Sequence, residues 1–284
     1  MGRHHQHQAQ GKNLGIAVFL NLLISAGQLV GGLISGSLSL LSDALHNFSD
    51  VLSLLLSWFA HRLARKPANS TYTFGYKRAE ILAAFVNALT LIIIAVFLII
   101  EAIKRSFHPE KIESVWVIYF ALASIVINVL SVLLLHQDAR HSLNIKSAYL
   151  HLLTDVMTSV AVLIGGLLMK YYEIYWVDSL LSMLIAGFLI FSSWNIFRHS
   201  LRILMQATPE HLDLQELKEQ MLSYPEIKQI IDLHIWSLDE HENYLQVKIS
   251  LQSDMSCQDF EILKEKIEKL LPENIKFYLM PVSS

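Results

Sequence analysis

Charge and cysteine are what this chain has least of. Only 17% of its 284 residues are Asp, Glu, Lys or Arg, where a water-soluble domain carries roughly 25%. The deficit comes from long uncharged runs, which exceed the roughly 18 residues that separate a membrane-spanning helix from a core helix. The single cysteine, Cys257, excludes an intramolecular disulfide and gives no sign of an oxidising compartment; it reads as a small residue near a helix start. The N-terminal stretch MGRHHQHQAQGKN has no short apolar run followed by a small-residue cleavage site. No cleaved signal peptide is expected, and the first hydrophobic segment is expected to stay in the bilayer.

What is present divides into two parts. The net charge of −3 conceals an asymmetry: residues 1–206 hold 15 Lys+Arg and 10 Asp+Glu, whereas residues 207–284 hold 7 and 15. This predicts a His-containing cytoplasmic tail over 1–12, a six-helix transmembrane domain over 13–206 and an acidic cytoplasmic domain over 207–284. Spans are expected at about 13–35, 38–64, 79–103, 114–136, 146–169 and 177–200. The fifth reads as the weakest by hydropathy, because His151 and Asp155 fall in its first half. Lys and Arg concentrate in the tail and in the loops after the second, fourth and sixth spans, which predicts both termini on the cytoplasmic side. In the first span Gly27, Gly31, Gly32 and Gly36 repeat in a small-xxx-small manner that permits close helix contact.

Past Gln206 the pattern changes. Thr208-Pro209-Glu210 reads as a helix N-cap with proline in the first turn, followed by Leu214, Leu217 and Met221 at helical spacing. Ile227–Trp236 reads as a strand, and Tyr244–Leu251 alternates Leu245, Val247, Ile249 and Leu251 inward. Phe260, Leu263, Ile267 and Leu270 form a helix stripe, and Ile275, Phe277 and Leu279 a last strand. The order α-β-β-α-β predicts a small α+β domain of ferredoxin-like type. A core this small favours an oligomeric contact.

The chemistry lies in the second and fifth spans. His46 and Asp50 are four residues apart, as are His151 and Asp155, so each pair lies on one helix face. Ionisable groups at membrane depth are costly and mark pathways. With no Lys or Arg at membrane depth to neutralise the carboxylates, a metal cation is the partner these four residues call for. Two imidazoles and two carboxylates suit tetrahedral Zn²⁺. No thiolate is offered, and Co²⁺, Fe²⁺, Ni²⁺ and Cd²⁺ fit the same donors. Asp43, one turn from His46, reads equally as an outer-shell group beside such a site or as a helix-terminus residue steadying the outer loop. Asn128 is expected to hydrogen-bond across helices. His4, His5 and His7 in the tail and His136 and His141 before the fifth span read as weak metal-capturing groups or as ordinary polar loop residues.

The segments SLSLLSDALHNFSD, YTFGYKRAEILAAFVNA (Tyr72–Ala88), NIKSAYLHLLTD, YWVDSL, ATPE and DLHIWSL, in that order, resemble the cation diffusion facilitator family, in particular its zinc-transporting branch. The resemblance runs from about residue 13 to the end. It implies a homodimer that exchanges a cytoplasmic divalent cation for protons, with His46, Asp50, His151 and Asp155 as the transport site. Zinc is then cargo rather than cofactor, and no nucleic-acid partner is expected. Many members carry histidines where this chain has Tyr72 and Tyr76, and others where it has Ile231 and Phe277 or Tyr278, so the resemblance does not carry accessory cytoplasmic metal sites over to this chain. A bacterial inner membrane suits the compact loops.

Two other classes compete with this reading. An intramembrane metalloenzyme would need an H-E-x-x-H or multi-histidine box, and neither occurs. A transport-inactive sensor or scaffold of the same family would be expected to lose a ligand, and all four remain.

Overall fold

The computed structural model describes residues 2–136, 143–210, 212–253, 255–272 and 274–282, with the side chains of 2–14, 143–145 and 147 left aside. His141 and the side chains of His4, His5 and His7 therefore lie outside the described residues. Six long helices come first: α1 (Gly2–Ser35), α2 (Leu38–Ala64), α3 (Ala79–Phe107), α4 (Ser114–Leu135), α5 (Leu143–Tyr172) and α6 (Trp176–Leu204). The shortest, α4, has 22 residues. At 1.5 Å per residue that is about 33 Å, enough to cross a hydrocarbon layer of about 30 Å. Five helices are both long and apolar enough to span: 15–35 of α1, all of α3 and α4, 148–172 of α5, and α6.

The polar exception is α2, not α5 as its sequence suggests. Between Ser159 and Lys170 of α5 the run VAVLIGGLLM is wholly apolar and restores its apolar character. In α2, Asp43, His46, Asn47 and Asp50 are joined by Ser39, Ser42 and Ser49, and all except Asp50 are buried. Large apolar side chains such as Phe97, Tyr119, Leu133 and Phe191 point outward at 65% exposure or more. A helical surface of that kind is solvated by lipid, and the protein is an integral membrane protein.

By contact density the chain forms two compact units, one from residues up to 56 and 86–195, the other from 57–85 and 196–284. In the first, α1 and α2 form the tight hairpin expected from their short connection. Gly36 turns it with φ +73°, and Arg105 Nη1 donates to the Gly36 carbonyl at 2.6 Å. Gly31 lets α4 approach α1: a Cβ there would lie 2.2 Å from the ring of Phe120. Leu38, Leu91, Ala95, Leu98, Ala186 and Leu189 form an apolar core joining α2, α3 and α6.

The second unit contains α7 (Leu214–Leu222), β1 (Ile227–Ser237), β2 (Asn243–Leu251), α8 (Cys257–Glu268) and β3 (Ile275–Val282). The sheet order is β1-β2-β3. β1 and β2 are antiparallel, with Leu233 opposite Val247; β2 and β3 are parallel, with Val247 opposite Leu279, which the intervening α8 makes possible. Met221, Leu245, Val247, Ile249, Leu263 and Ile267 are almost wholly buried between helices and sheet, following the predicted alternation. The first helix of this domain starts later than Thr208-Pro209 suggests. Asp213, in extended conformation, caps α7 by accepting from the backbone N–H of Gln215 and Glu216, while Pro209 contributes only a turn carbonyl to Leu212. Beside the sheet, Glu242 pairs with Lys77 and Lys276. These bonds, Lys77 first, hold its carboxyl below the ordinary 4.5.

Candidate metal centre

α2 and α5 run antiparallel and face each other through side chains in three successive rungs. His151 Nε2 lies 3.2 Å from Asp50 Oδ2. One turn on, His46 Nε2 lies 3.7 Å from Asp155 Oδ1. Another turn on, Asp43 meets Thr158 and Ser159. Within each helix the i,i+4 partners also close on one point: His46 Nδ1 is 3.6 Å from Asp50 Oδ2, and His151 Nε2 is 3.7 Å from Asp155 Oδ2. His46, His151 and Asp155 each offer a ligand atom, all within 4.8 Å of one another. Ligands 2.0–2.2 Å from a tetrahedral ion are separated by about 3.4 Å, close to these distances.

The hydrogen bonding within these rungs differs sharply. Asp155 is 0% exposed, yet among the described residues neither of its carboxylate oxygens has a hydrogen-bond partner; the same holds for His46 Nδ1 and Asp50 Oδ2. A buried, unpaired carboxylate is strongly disfavoured, so the cluster has the character of a cation site. His151 is the most open of the four, with its side chain 40% exposed.

Asp43, also 0% exposed, has abundant donors: Gln28 Nε2 of α1 at 2.6 Å, Thr158 Oγ1 at 3.0 Å and Ser159 Oγ at 3.3 Å. Of its two readings, the helix-terminus role is not met by these partners, none of which lies at the turn before α2, and belongs instead to Asp178 of α6. Asp178 accepts from Ser37 Oγ, Ser39 Oγ and the backbone N–H groups of Leu38 and Ser39, at 2.5–3.2 Å. It caps α2 from another helix, and Ser42–Ser182 at 2.9 Å adds a second tie. The serine run Ser37-x-Ser39 before an apolar helix was the available signal. Among the described residues Asn128 makes no bond across helices; it donates to Ser124 one turn back on α4 (3.3 Å), and Ser124 makes the link to Ser159 of α5. His136 makes a ring contact with Tyr149.

Outside this cluster, His234 pairs with Asp232 at 2.8 Å on the exposed side of β1, and His61 with Glu80 at 2.6 Å. Among the described residues no second group of three or more His, Cys, Asp or Glu side chains converges as a metal site would.

Comparison with known proteins decides the family. The cation efflux transmembrane domain matches residues 14–205, and the cytoplasmic domain of cation efflux proteins matches 209–280. The chain belongs to the cation efflux family. Membership in these cation diffusion facilitators makes it a metal cation efflux transporter rather than an enzyme. The chain is 34% identical, over 94% of its own length and 87% of the relative's, to a cadmium, cobalt and zinc/H(+)-K(+) antiporter of Bacillus subtilis. It is 34% identical to the metal cation efflux system protein CzcD of Cupriavidus metallidurans, covering 99% and 92%. It is 35% identical to the zinc transporter ZitB of Escherichia coli, covering 75% and 69%. The dimer-forming domain type at the C-terminus marks this cation efflux protein as a homodimer.

Proposed function

We propose that the protein exports Zn²⁺ from the bacterial cytoplasm in exchange for protons, holding the ion between α2 and α5 with His46, Asp50, His151 and Asp155. The observation that carries this reading is Asp155: fully buried, without a hydrogen bond, and facing two imidazoles. Residues 13–206 act as the transport domain and 207–284 as the cytoplasmic domain, with both termini inside as the Lys/Arg bias predicts. The relatives named for zinc, cadmium and cobalt support the choice of cargo. The two imidazoles favour Zn²⁺ over Mn²⁺ or Mg²⁺, which prefer all-oxygen donors.

The same donors supply the coupling. Zn²⁺ binds neutral imidazole and ionised carboxylate, so loading displaces protons. Unperturbed histidine titrates near 6.5, between the pH values on the two sides of an energised membrane. Facing inward, the site takes Zn²⁺ and releases protons; facing outward on the acidic side, it takes protons and releases Zn²⁺. The exchange is driven by the differential affinity of the two states. In proteoliposomes Zn²⁺ flux will follow an imposed pH gradient and disappear in Asp155→Ala. Gradient-driven flux that survives this substitution would refute the assignment, and flux that ignores the gradient would refute the coupling.

A further inference from the structure

The three rungs between α2 and α5 differ in what they need. Pairs 50/151 and 46/155 consist of acids and imidazoles whose buried atoms include four without hydrogen bonds. The third rung, Asp43 against Thr158 and Ser159, is complete in itself. It is extended on both sides: Gln28 of α1 donates to Asp43 and accepts from Asn47 Nδ2 at 3.3 Å, and Ser159 continues to Ser124 of α4 at 2.8 Å. One side chain on α2 thus ties together α1, α2 and α5 and, through Ser159, α4, one helical turn from His46 on the same face. Thr158 Oγ1 also lies 2.9 Å from the Asp155 carbonyl oxygen, so the rung touches the ligand helix at the ligand itself.

We propose that Asp43 is a positioning residue: it fixes the register of α2 against α5 without any metal, and so sets the separation of His46 and Asp155 that an incoming cation meets. This rests on the metal site proposed above. The physical reason is that the ligand rungs do not hold the helices equally in every state: without the metal, their acid–imidazole attraction depends on the protons they carry, which change in number over the transport cycle. A register pin that depended on the ion would be lost at every release. Asp43 makes its bonds to neutral donors, which are present in every state of loading. Preorganised ligands bind more tightly because less ordering is left to the moment of binding.

The test separates position from charge. Asp43→Asn removes the charge but can keep the connections, because the amides of Gln28 and Asn47 can reverse so that each donor again faces an acceptor. Asp43→Leu removes the connections. Zn²⁺ affinity of the purified full-length protein, measured by competition with a chromophoric chelator, will weaken about 10–100-fold in Asp43→Leu, the scale of outer-shell loss. It will recover most of this in Asp43→Asn. In proteoliposomes the defect of Asp43→Leu will appear as raised KM with Vmax less affected. Equal losses in Asp43→Asn and Asp43→Leu would overturn the proposal in favour of a role for the charge, and wild-type affinity in both would overturn it outright. Should Asp43→Leu not fold, the double variant Thr158→Val, Ser159→Ala carries the same expectation, weakened affinity with raised KM, and wild-type values there would overturn the proposal. Asp155→Ala in the same assay keeps the two readings apart. If it binds Zn²⁺ normally, the metal site itself is wrong; if it fails to bind while Asp43→Leu is unaffected, only the positioning role is lost.

Discussion

Asp178 and Asp155 are the same side chain in nearly the same burial, 1% and 0% exposed, but their surroundings are opposite. Asp178 receives four donors and ties α6 to the first turn of α2. Asp155 receives none and faces two histidines. A buried carboxylate that is fully bonded is part of the scaffold, because removing it strands its donors. One left unbonded weakens the fold and persists only for what it binds. Asp43, with three donors one turn from the site, belongs with Asp178 in its bonding and with Asp155 in its location.

The comparison can be broken most directly at Asp155. Asp155→Ala will abolish measurable Zn²⁺ transport, while the Tm of the metal-free protein stays level or rises, since an unpaired buried charge has gone. A large fall in Tm would mean that Asp155 has bonds like those of Asp178. Asp178→Ala is the reverse case. Its four stranded donors will cost about 1–3 kcal/mol or more, read as a lower Tm in detergent, while the fraction that stays folded still binds Zn²⁺. A variant with normal Tm would remove Asp178 from the scaffold. His46→Asp keeps four ligands but exchanges one imidazole for oxygen, and preference will shift toward Mn²⁺ in competition transport assays; an unchanged ranking of metals would show that His46 does not set it. The smallest effect is expected at Glu242→Gln, outside the membrane-spanning helices. A carboxyl held below its ordinary pKa by Lys77 adds stability above about pH 4.5, and that stability is lost as pH falls through the folded value. The substitution will therefore lower Tm slightly at pH 7, by the equivalent of about 1 kcal/mol or less, and the difference from wild type will close as the pH is taken below the ordinary carboxyl range. A gap independent of pH would show that charge is not its cause.

Five of the six long helices were legible because each is a long apolar run, and α2 because its polar groups recur at helical spacing in an otherwise apolar segment. The tail domain was legible because period-2 strands and period-3.6 helices alternate there. The repeated H-x-x-x-D spacing of His46–Asp50 and His151–Asp155 was legible in the sequence alone. What spacing could not convey was contact between distant segments. Asp178 lies 139 residues from the Ser39 that it binds, and nothing in YWVDSL says which helix end it will cap. Asp43 was visible as an anomaly, but its donors Gln28, Thr158 and Ser159 are ordinary polar residues whose convergence exists only in three dimensions. Local competition misled twice. Asn128 found a serine on its own helix before reaching a neighbour, and Asp213 displaced Thr208 as a cap because a carboxylate in extended backbone reaches two N–H groups at once.

The cap that Asp178 places on α2 also has a mechanical meaning. With Ser42–Ser182 and the Asp43 bonds close by, any tilt of α2 that keeps these contacts has its fulcrum in the first turns of the helix. His46 is 8 residues beyond Leu38 and Ala64 is 26, arms of about 12 Å and 39 Å at 1.5 Å per residue. The Ala64 end then sweeps about three times as far as the imidazole. A wide opening at that end is compatible with small, ångström-scale changes among the ligands, which is the scale on which coordination is gained or lost.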